Sequence, residues 1–270
     1  MKQLHVAKGK KVYFASDFHL GFPNETESRE REAALLDWLQ NAQQDAQAIF
    51  LLGDLFDFWF EYKKAVPKGF VRFLGKLAEL TDAGIELHIF VGNHDLWMYD
   101  YFQEELCAKI YREPERFILS FEEGQQKSIW VGHGDGLGPG DYGYKALKKV
   151  FTNSLAQFLF RWLHPDLGIR LAHAWSNTRK SNAITQGLVP FNPETDYILQ
   201  YVHEKYHQDL ASQEVSCCYV FGHRHHPIAY ELGKEVFYYN LGDWFSPALA
   251  NAYILRIDEH ENTFQKYTAG

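Results

Sequence analysis

The chain has 270 residues, of which 46% are hydrophobic, and this is enough apolar material for a sizeable folded core. Its formal net charge of −8 excludes general nucleic-acid binding, because such proteins use a basic surface to displace counterions. The three cysteines are too few for a disulfide framework, so we expect a reducing compartment. No stretch resembles a signal peptide or reaches the roughly 18 apolar residues of a transmembrane helix.

Short apolar runs recur along the chain and alternate with helical patterns. The predicted strands cover residues 12–16, 48–52, 87–91, 129–131 and 218–221. The predicted helices between the early strands cover residues 29–43 and 70–80, where Ala, Leu and Phe repeat on one face. Strands that alternate with helices predict an α/β fold with largely parallel pairing. In such sheets the functional site lies beyond the carboxyl ends of the strands.

Residues 145–180 carry no strand pattern and are predicted to form two or three helices. The apolar positions of one predicted stripe are Phe151, Leu155, Phe158, Leu159 and Trp162. Seven Lys and Arg face a single Asp here, so this segment has a net charge of +6 and the remainder has −14. We expect one domain, residues 1–270, with a helical insertion at about 145–185. Its basic, apolar face suits an anionic membrane surface, although such a stripe can also pack onto the core.

Each predicted strand is followed by polar side chains. In chain order they are Asp17, His19, Asp54, Asn93, His94, Asp95, His133, His223 and His225. Taken singly, each group has a plain explanation as a turn residue or a buried histidine. Together, imidazoles, carboxylates and an amide oxygen suit borderline divalent metals. Seven ligands, leaving His94 and Asp95 aside, are too many for one tetrahedral ion but suit two ions that share a carboxylate.

The order of these motifs resembles that of the calcineurin-like binuclear metallophosphoesterases, from about residue 12 to about residue 243. The resemblance implies an α/β sandwich of two β-sheets flanked by helices. It assigns Asp17, His19 and His225 to a first metal ion, Asn93, His133 and His223 to a second, and Asp54 to both. It further implies that His94, backed by Asp95, stabilises the transition state or protonates the leaving oxygen. The alternative role for His94 is to orient a metal ligand.

The segment around His133 is similar to that of the bacterial UDP-2,3-diacylglucosamine pyrophosphatases of lipid A synthesis. It reads His-Gly-Asp, then Asp141 and Tyr144, and the helical insertion follows at once. This resemblance implies cleavage to UMP and a diacylated glucosamine 1-phosphate, usually with manganese, under inserted helices that form a lid and receive the acyl chains. The implied substrate contacts are Asn93, His94, Asp141, Tyr144, Ser176, Arg179, Lys180 and His223. One departure is His94, where the better-known members carry arginine.

The expected cofactors are therefore two divalent metal ions, Mn²⁺ above all, and the expected substrate is a lipid-linked nucleotide. We expect a cytoplasmic protein, peripheral on the inner face of the cytoplasmic membrane, whose oligomeric state the sequence leaves open. Two other functions remain compatible with the sequence. The same metals can serve a water-soluble phosphodiester, nucleotide or phosphoprotein, or the fold can be a non-catalytic scaffold. The complete set of seven ligands disfavours the scaffold.

Overall fold

Two six-stranded β-sheets lie face to face in the computed structural model, which describes residues 1–139, 142–168, 190–214 and 216–268. The strands are β1 (Lys2–Val6), β2 (Lys11–Ala15), β3 (Ala46–Leu51), β4 (Glu86–Phe90), β5 (Lys109–Tyr111), β6 (Glu115–Phe121), β7 (Gln126–Val131), β8 (Cys218–Phe221), β9 (Pro227–Gly233), β10 (Val236–Leu241), β11 (Tyr253–Ile257) and β12 (Asn262–Lys266). The described helices are α1 (Glu25–Ala42), α2 (Val71–Asp82), α3 (Tyr101–Glu104), α4 (Tyr142–Phe151), α5 (Ser154–Arg161) and α6 (Tyr197–Ser212). The first sheet has the order β1-β6-β7-β8-β10-β9, and the second has the order β12-β11-β2-β3-β4-β5.

The five predicted strands correspond to β2, β3, β4, β7 and β8, and the two predicted helices correspond to α1 and α2. The pairing is more mixed than predicted, because six adjacent strand pairs are parallel and four are antiparallel. The parallel pairs include the run β2-β3-β4 at the centre of the second sheet and the pair β7-β8 in the first. The carboxyl ends of these strands therefore lie at a common edge of each sheet.

One apolar core lies between the two sheets, as the implied sandwich requires, and a larger one lies between the second sheet and the helices that cover it. Phe14 and Phe50 of the second sheet stack with ring centroids 4.8 Å apart, and Phe117 of the first sheet packs edge-on against Phe50. The outer face of the second sheet is covered by α1 and α2, and the outer face of the first sheet by α6. The implied fold of two β-sheets flanked by helices is thus confirmed.

The described part of the insertion contains two short helices rather than one continuous stripe. Asn153 begins α5 as its cap, because its side-chain oxygen accepts hydrogen bonds from the backbone of Leu155 and Ala156. Phe151 therefore ends α4 and packs on Trp97, whose Nε1 lies 2.6 Å from the Phe151 carbonyl oxygen. The other four residues of the predicted stripe, Leu155, Phe158, Leu159 and Trp162, are exposed. The insertion from residue 169 onward lies outside the described residues.

Candidate functional site

The loops that follow the central strands of both sheets meet at one place. The backbone N–H of Asp17 donates to Gly53, joining the loops after β2 and β3, with N and O 3.1 Å apart. The backbone N–H of Gly222 donates to His133 in the same way, joining the loops after β8 and β7 at 2.9 Å. These loops bring all seven predicted metal ligands into one centre: Asp17, His19, Asp54, Asn93, His133, His223 and His225.

One group of ligands consists of Asp17, His19, Asp54 and His225, whose donor atoms all lie within 4.8 Å of one another. The Nε2 atoms of His19 and His225 are 3.3 Å apart. Nε2 of His225 lies 3.3 Å from Oδ1 of Asp17, and Nε2 of His19 lies 3.6 Å from Oδ2 of Asp54. Four donor atoms that converge in this way can hold a divalent cation.

A second group consists of Asp54, His133 and His223, and again its donor atoms lie within 4.8 Å of one another. Nε2 of His133 is 3.4 Å from Oδ2 of Asp54 and 3.3 Å from Oδ1 of Asn93. Nδ1 of His133 lies 2.6 Å from the Leu52 carbonyl oxygen, so this nitrogen carries a hydrogen, and Nε2 is the nitrogen that faces Asp54. Asp54 belongs to both groups and can therefore bridge two ions.

Two buried polar atoms of this centre lack a partner among the described residues, as expected of atoms that bind a metal ion. Oδ2 of Asp54 and Nδ1 of His223 are buried and have no hydrogen-bond partner within the described ranges, a costly arrangement unless a ligand satisfies them. Burial lowers the pKa of His223 to about 4, so its ring is neutral at pH 7. Burial alone would raise the pKa of the Asp54 carboxyl, but His133 and His94 hold it well below its usual range. Burial opposes it, but the Asp54 carboxylate raises the pKa of His133 to about 10. Ionised carboxylate and neutral imidazole are the forms that bind divalent metals, so an ion bound here would replace the proton on Nε2 of His133.

The backbone at the ligands has an uncommon conformation. Five of the predicted ligands have φ between 44° and 72°: Asp17, His19, Asp54, His223 and His225. Asp, Asn and His tolerate this left-handed region better than other non-glycine residues, and such residues cluster at functional sites. Gly53 is required between them, because a Cβ there would lie 2.7 Å from the Gly92 nitrogen and 2.8 Å from Nδ1 of His133.

His94 borders the centre and remains accessible, since 26% of its side chain is exposed. Its Nδ1 lies 2.8 Å from the backbone carbonyl oxygen of Asp57 and 3.9 Å from the Asp57 carboxylate. Because a carbonyl oxygen can only accept, Nδ1 is the donor, and Nε2 is the nitrogen left for a substrate. The His94 ring also lies perpendicular to the His19 ring, with centroids 4.7 Å apart.

The family resemblance implied that Asp95 contacts and orients His94, but the residue in that position is Asp57. The Asp95 carboxylate accepts hydrogen bonds from the backbone N–H groups of Gly92 and Leu55, at 2.6 and 2.8 Å. Burial and the neighbouring Asp54 carboxylate raise the pKa of Asp95 to about 7. Asp95 thus holds the loops after β3 and β4 together. The spacing Gly53-Asp54-x-x-Asp57 was the available sequence signal for Asp57.

Three of the predicted substrate contacts lie at the centre. Asn93, His94 and His223 lie there, whereas Asp141, Ser176, Arg179, Lys180 and the side chain of Tyr144 lie outside the described part of the chain. The insertion is nevertheless tied to the centre, because Nζ of Lys148 on α4 lies 2.7 Å from Oδ2 of Asp135. Asp135 follows the ligand His133 by two residues.

Comparison with known proteins agrees with this geometry. The model of the calcineurin-like phosphoesterase family matches residues 10–227. A UDP-2,3-diacylglucosamine hydrolase of Porphyromonas gingivalis is 36% identical over 249 residues, which cover 87% of this chain and 90% of that protein. Proteins of the same name from Pseudomonas fluorescens and Haemophilus influenzae are 28% and 27% identical, and the matches cover 92% and 93% of this chain and 92% and 96% of those proteins. The chain therefore belongs to the calcineurin-like phosphoesterase family.

Proposed function

We propose that this protein hydrolyses the pyrophosphate bond of UDP-2,3-diacylglucosamine to UMP and 2,3-diacylglucosamine 1-phosphate, a step of lipid A synthesis, with two Mn²⁺ ions. The observation that carries the proposal is the pair of ligand groups that share Asp54. A shared carboxylate between two groups of imidazoles is suited to two-metal phosphoester chemistry. The choice of substrate is supported by relatives named for hydrolysis of this compound, which align with most of the chain.

The residues of the centre have two roles, metal binding and proton transfer. Asp17, His19 and His225 would hold one ion, Asn93, His133 and His223 would hold the other, and Asp54 would contact both. When bound, the ions supply a water of lowered pKa and offset the charge that develops on phosphorus. His94 is oriented by its bond to the Asp57 carbonyl. When both of its ring nitrogens carry a hydrogen, it can give the Nε2 proton to the leaving oxygen as the bond between phosphorus and that oxygen breaks, and it is then left as the neutral ring.

The direct test is the identity of the products. Purified protein with Mn²⁺ and UDP-2,3-diacylglucosamine in detergent micelles should release UMP and the lipid phosphate in equal amounts. Chromatography of the nucleotide and mass spectrometry of the lipid measure both products, and chelation of the metal should stop the reaction. Release of orthophosphate, or faster turnover of a panel of water-soluble phosphodiesters, nucleotides and phosphoproteins, would contradict the proposed substrate.

We further propose that α5 places the enzyme on the surface of a membrane that contains anionic lipid. None of the described helices combines the length and apolar character needed to cross a bilayer. However, Trp162 and Phe158 are 77% and 54% exposed and form one apolar face. Lys149 is exposed nearby in sequence, and the segment from 145 to 180 carries a net charge of +6 in an otherwise acidic chain. Apolar rings beside cations are suited to the boundary of an anionic bilayer.

Vesicle binding tests this placement. The double variant Phe158→Ser with Trp162→Ser should bind anionic vesicles at least about tenfold more weakly, because burying one large apolar side chain contributes about 1.5–3 kcal/mol. Leu210 is exposed on α6, so Leu210→Ser is the matched control and should bind as the wild type does. Equal binding of all three proteins in a vesicle co-sedimentation assay would refute the assignment of this face.

A further inference from the structure

Arg31 is a buried arginine on α1 that donates hydrogen bonds to the turn carrying Asp17 and His19. Its Nη1 lies 3.0 Å from the carbonyl oxygen of Phe18 and 2.7 Å from that of His19. Its Nε lies 3.1 Å from the carbonyl oxygen of Trp244. One planar guanidinium therefore joins the turn after β2 to the loop after β10.

The loop after β10 also contacts His225, which belongs to the same ligand group as His19. Nδ2 of Asn251 lies 3.0 Å from the His225 carbonyl oxygen and 3.2 Å from Oδ2 of Asp243. The ring of Phe245 is perpendicular to the rings of His19 and His225, with centroids 5.0 and 4.9 Å away. Residues of α1 and of the loop after β10, none of which is among the seven predicted ligands, thus contact His19 and His225.

We propose that Arg31 and Asn251 are positioning residues for the first metal ion, Arg31 through His19 and Asn251 through His225. This inference rests on the two-metal centre of the proposed function. The φ angles of His19 and His225 are 44° and 52°, so the backbone at both ligands is in the left-handed region. Hydrogen bonds to their carbonyl oxygens fix the peptide groups in this conformation. Both Nε2 atoms are thereby held 3.3 Å apart.

The effect should fall mainly on the first metal, because His133 and Asn93 of the second group are held by other elements. His133 is oriented by the Leu52 carbonyl, and the loop that carries Asn93 is held by Asp95. A lysine at position 31 keeps the positive charge but replaces the planar fork that reaches three carbonyl oxygens with a single ammonium group. Arg31→Lys therefore tests the geometry of the contact and retains its charge.

The experiment titrates metal-free, full-length protein with Mn²⁺ by calorimetry and follows each addition by electron paramagnetic resonance. In the wild type we expect two bound ions with the spectrum of a coupled pair. In Arg31→Lys the affinity for one ion should fall by about 10- to 100-fold, the range for groups that hydrogen-bond to metal ligands, while the other ion is retained. The singly loaded spectrum should match that of His225→Ala. Arg116→Lys makes the same change on β6, where Arg116 contacts Ser128 and Glu214, and should bind both ions normally.

Asn251→Ala should produce the same selective loss through His225, and it decides the question if Arg31→Lys does not fold. The proposal is overturned if these variants bind both ions as tightly as the wild type, or if both affinities fall equally. A wild-type protein that binds fewer than two Mn²⁺ ions would overturn the two-metal centre itself and this proposal with it. The stoichiometry of the wild type therefore separates the two failures.

Discussion

We expect Asp54→Asn to abolish measurable hydrolysis and to weaken the binding of both metal ions. Oδ2 of Asp54 lies 3.6 Å from Nε2 of His19 and 3.4 Å from Nε2 of His133, so one oxygen faces both ligand groups. The affinity should fall by more than about 100-fold, the upper range for residues that only support a ligand. Asparagine removes the charge but tolerates the φ of 51° at this position, so the fold should persist.

Calorimetric titration with Mn²⁺ and an assay of UMP release measure the two losses. Asp82→Asn makes the same chemical change at the exposed end of α2 and should leave both quantities unchanged. Retention of two tightly bound ions by Asp54→Asn would show that Asp54 does not bridge them. Circular dichroism should show that the variant retains the secondary structure of the wild type.

His94→Ala should have a different signature, in which turnover falls but metal binding is preserved. The ring donates to the Asp57 carbonyl through Nδ1 and keeps Nε2 for the substrate, as a proton donor to the leaving group requires. Loss of a general acid lowers kcat by about 100- to 10,000-fold. Steady-state kinetics at saturating Mn²⁺, together with the metal titration, measure both properties.

The control for His94→Ala is His207→Ala, because His207 is exposed on α6. The control should keep the kcat of the wild type. If His94→Ala instead loses one metal ion, and added Mn²⁺ restores turnover, His94 serves to orient a ligand and the acid role is wrong. The two roles that the sequence left open are separated by this comparison.

The convergence of the predicted ligands could be foreseen from the sequence because each of them follows a strand. Asp17, Asp54 and His133 follow the apolar runs that end β2, β3 and β7, and parallel pairing places such strand ends together. Whether a residue lies just beyond the end of a strand is decided by the local sequence, and an apolar run that ends in a glycine indicates such a position. The convergence of these residues therefore needed no knowledge of long-range contacts, whereas the arrangement of two sheets in a sandwich was implied by the family resemblance and not by the strand pattern.

The positioning residues could not be predicted in this way. Arg31 bonds to the backbone of Trp244, 213 residues away, and Asn251 bonds to the backbone of His225. A carbonyl oxygen is present at every residue, so no side-chain pattern in the sequence marks the acceptor. The sequence offered more of a signal for Asp57, because it lies three residues after Asp54. Its main contact to His94 is nevertheless again through a backbone carbonyl, which no side-chain pattern marks.

In the insertion, the sequence pattern did not predict where one helix ends and the next begins. Helical periodicity placed Phe151 and Trp162 on one face, but it assumes an unbroken helix. Asn153 caps a new helix, so Phe151 packs on Trp97 while Trp162 is exposed. The sequence Thr152-Asn153-Ser154 contains residues that favour the start of a helix and was the available signal.

The left-handed backbone at five of the proposed ligands has a consequence for how much folded protein a cell holds when the metal is scarce. Each such conformation costs about 1–3 kcal/mol, and the folded chain maintains all five at one centre. Ions that bind the folded chain but not the unfolded chain add their binding free energy to stability. A cell that is short of the metal would therefore hold less of this enzyme, because the less stable protein is unfolded more often and degraded. Starvation for the ion would reduce both the activity per molecule and the number of molecules.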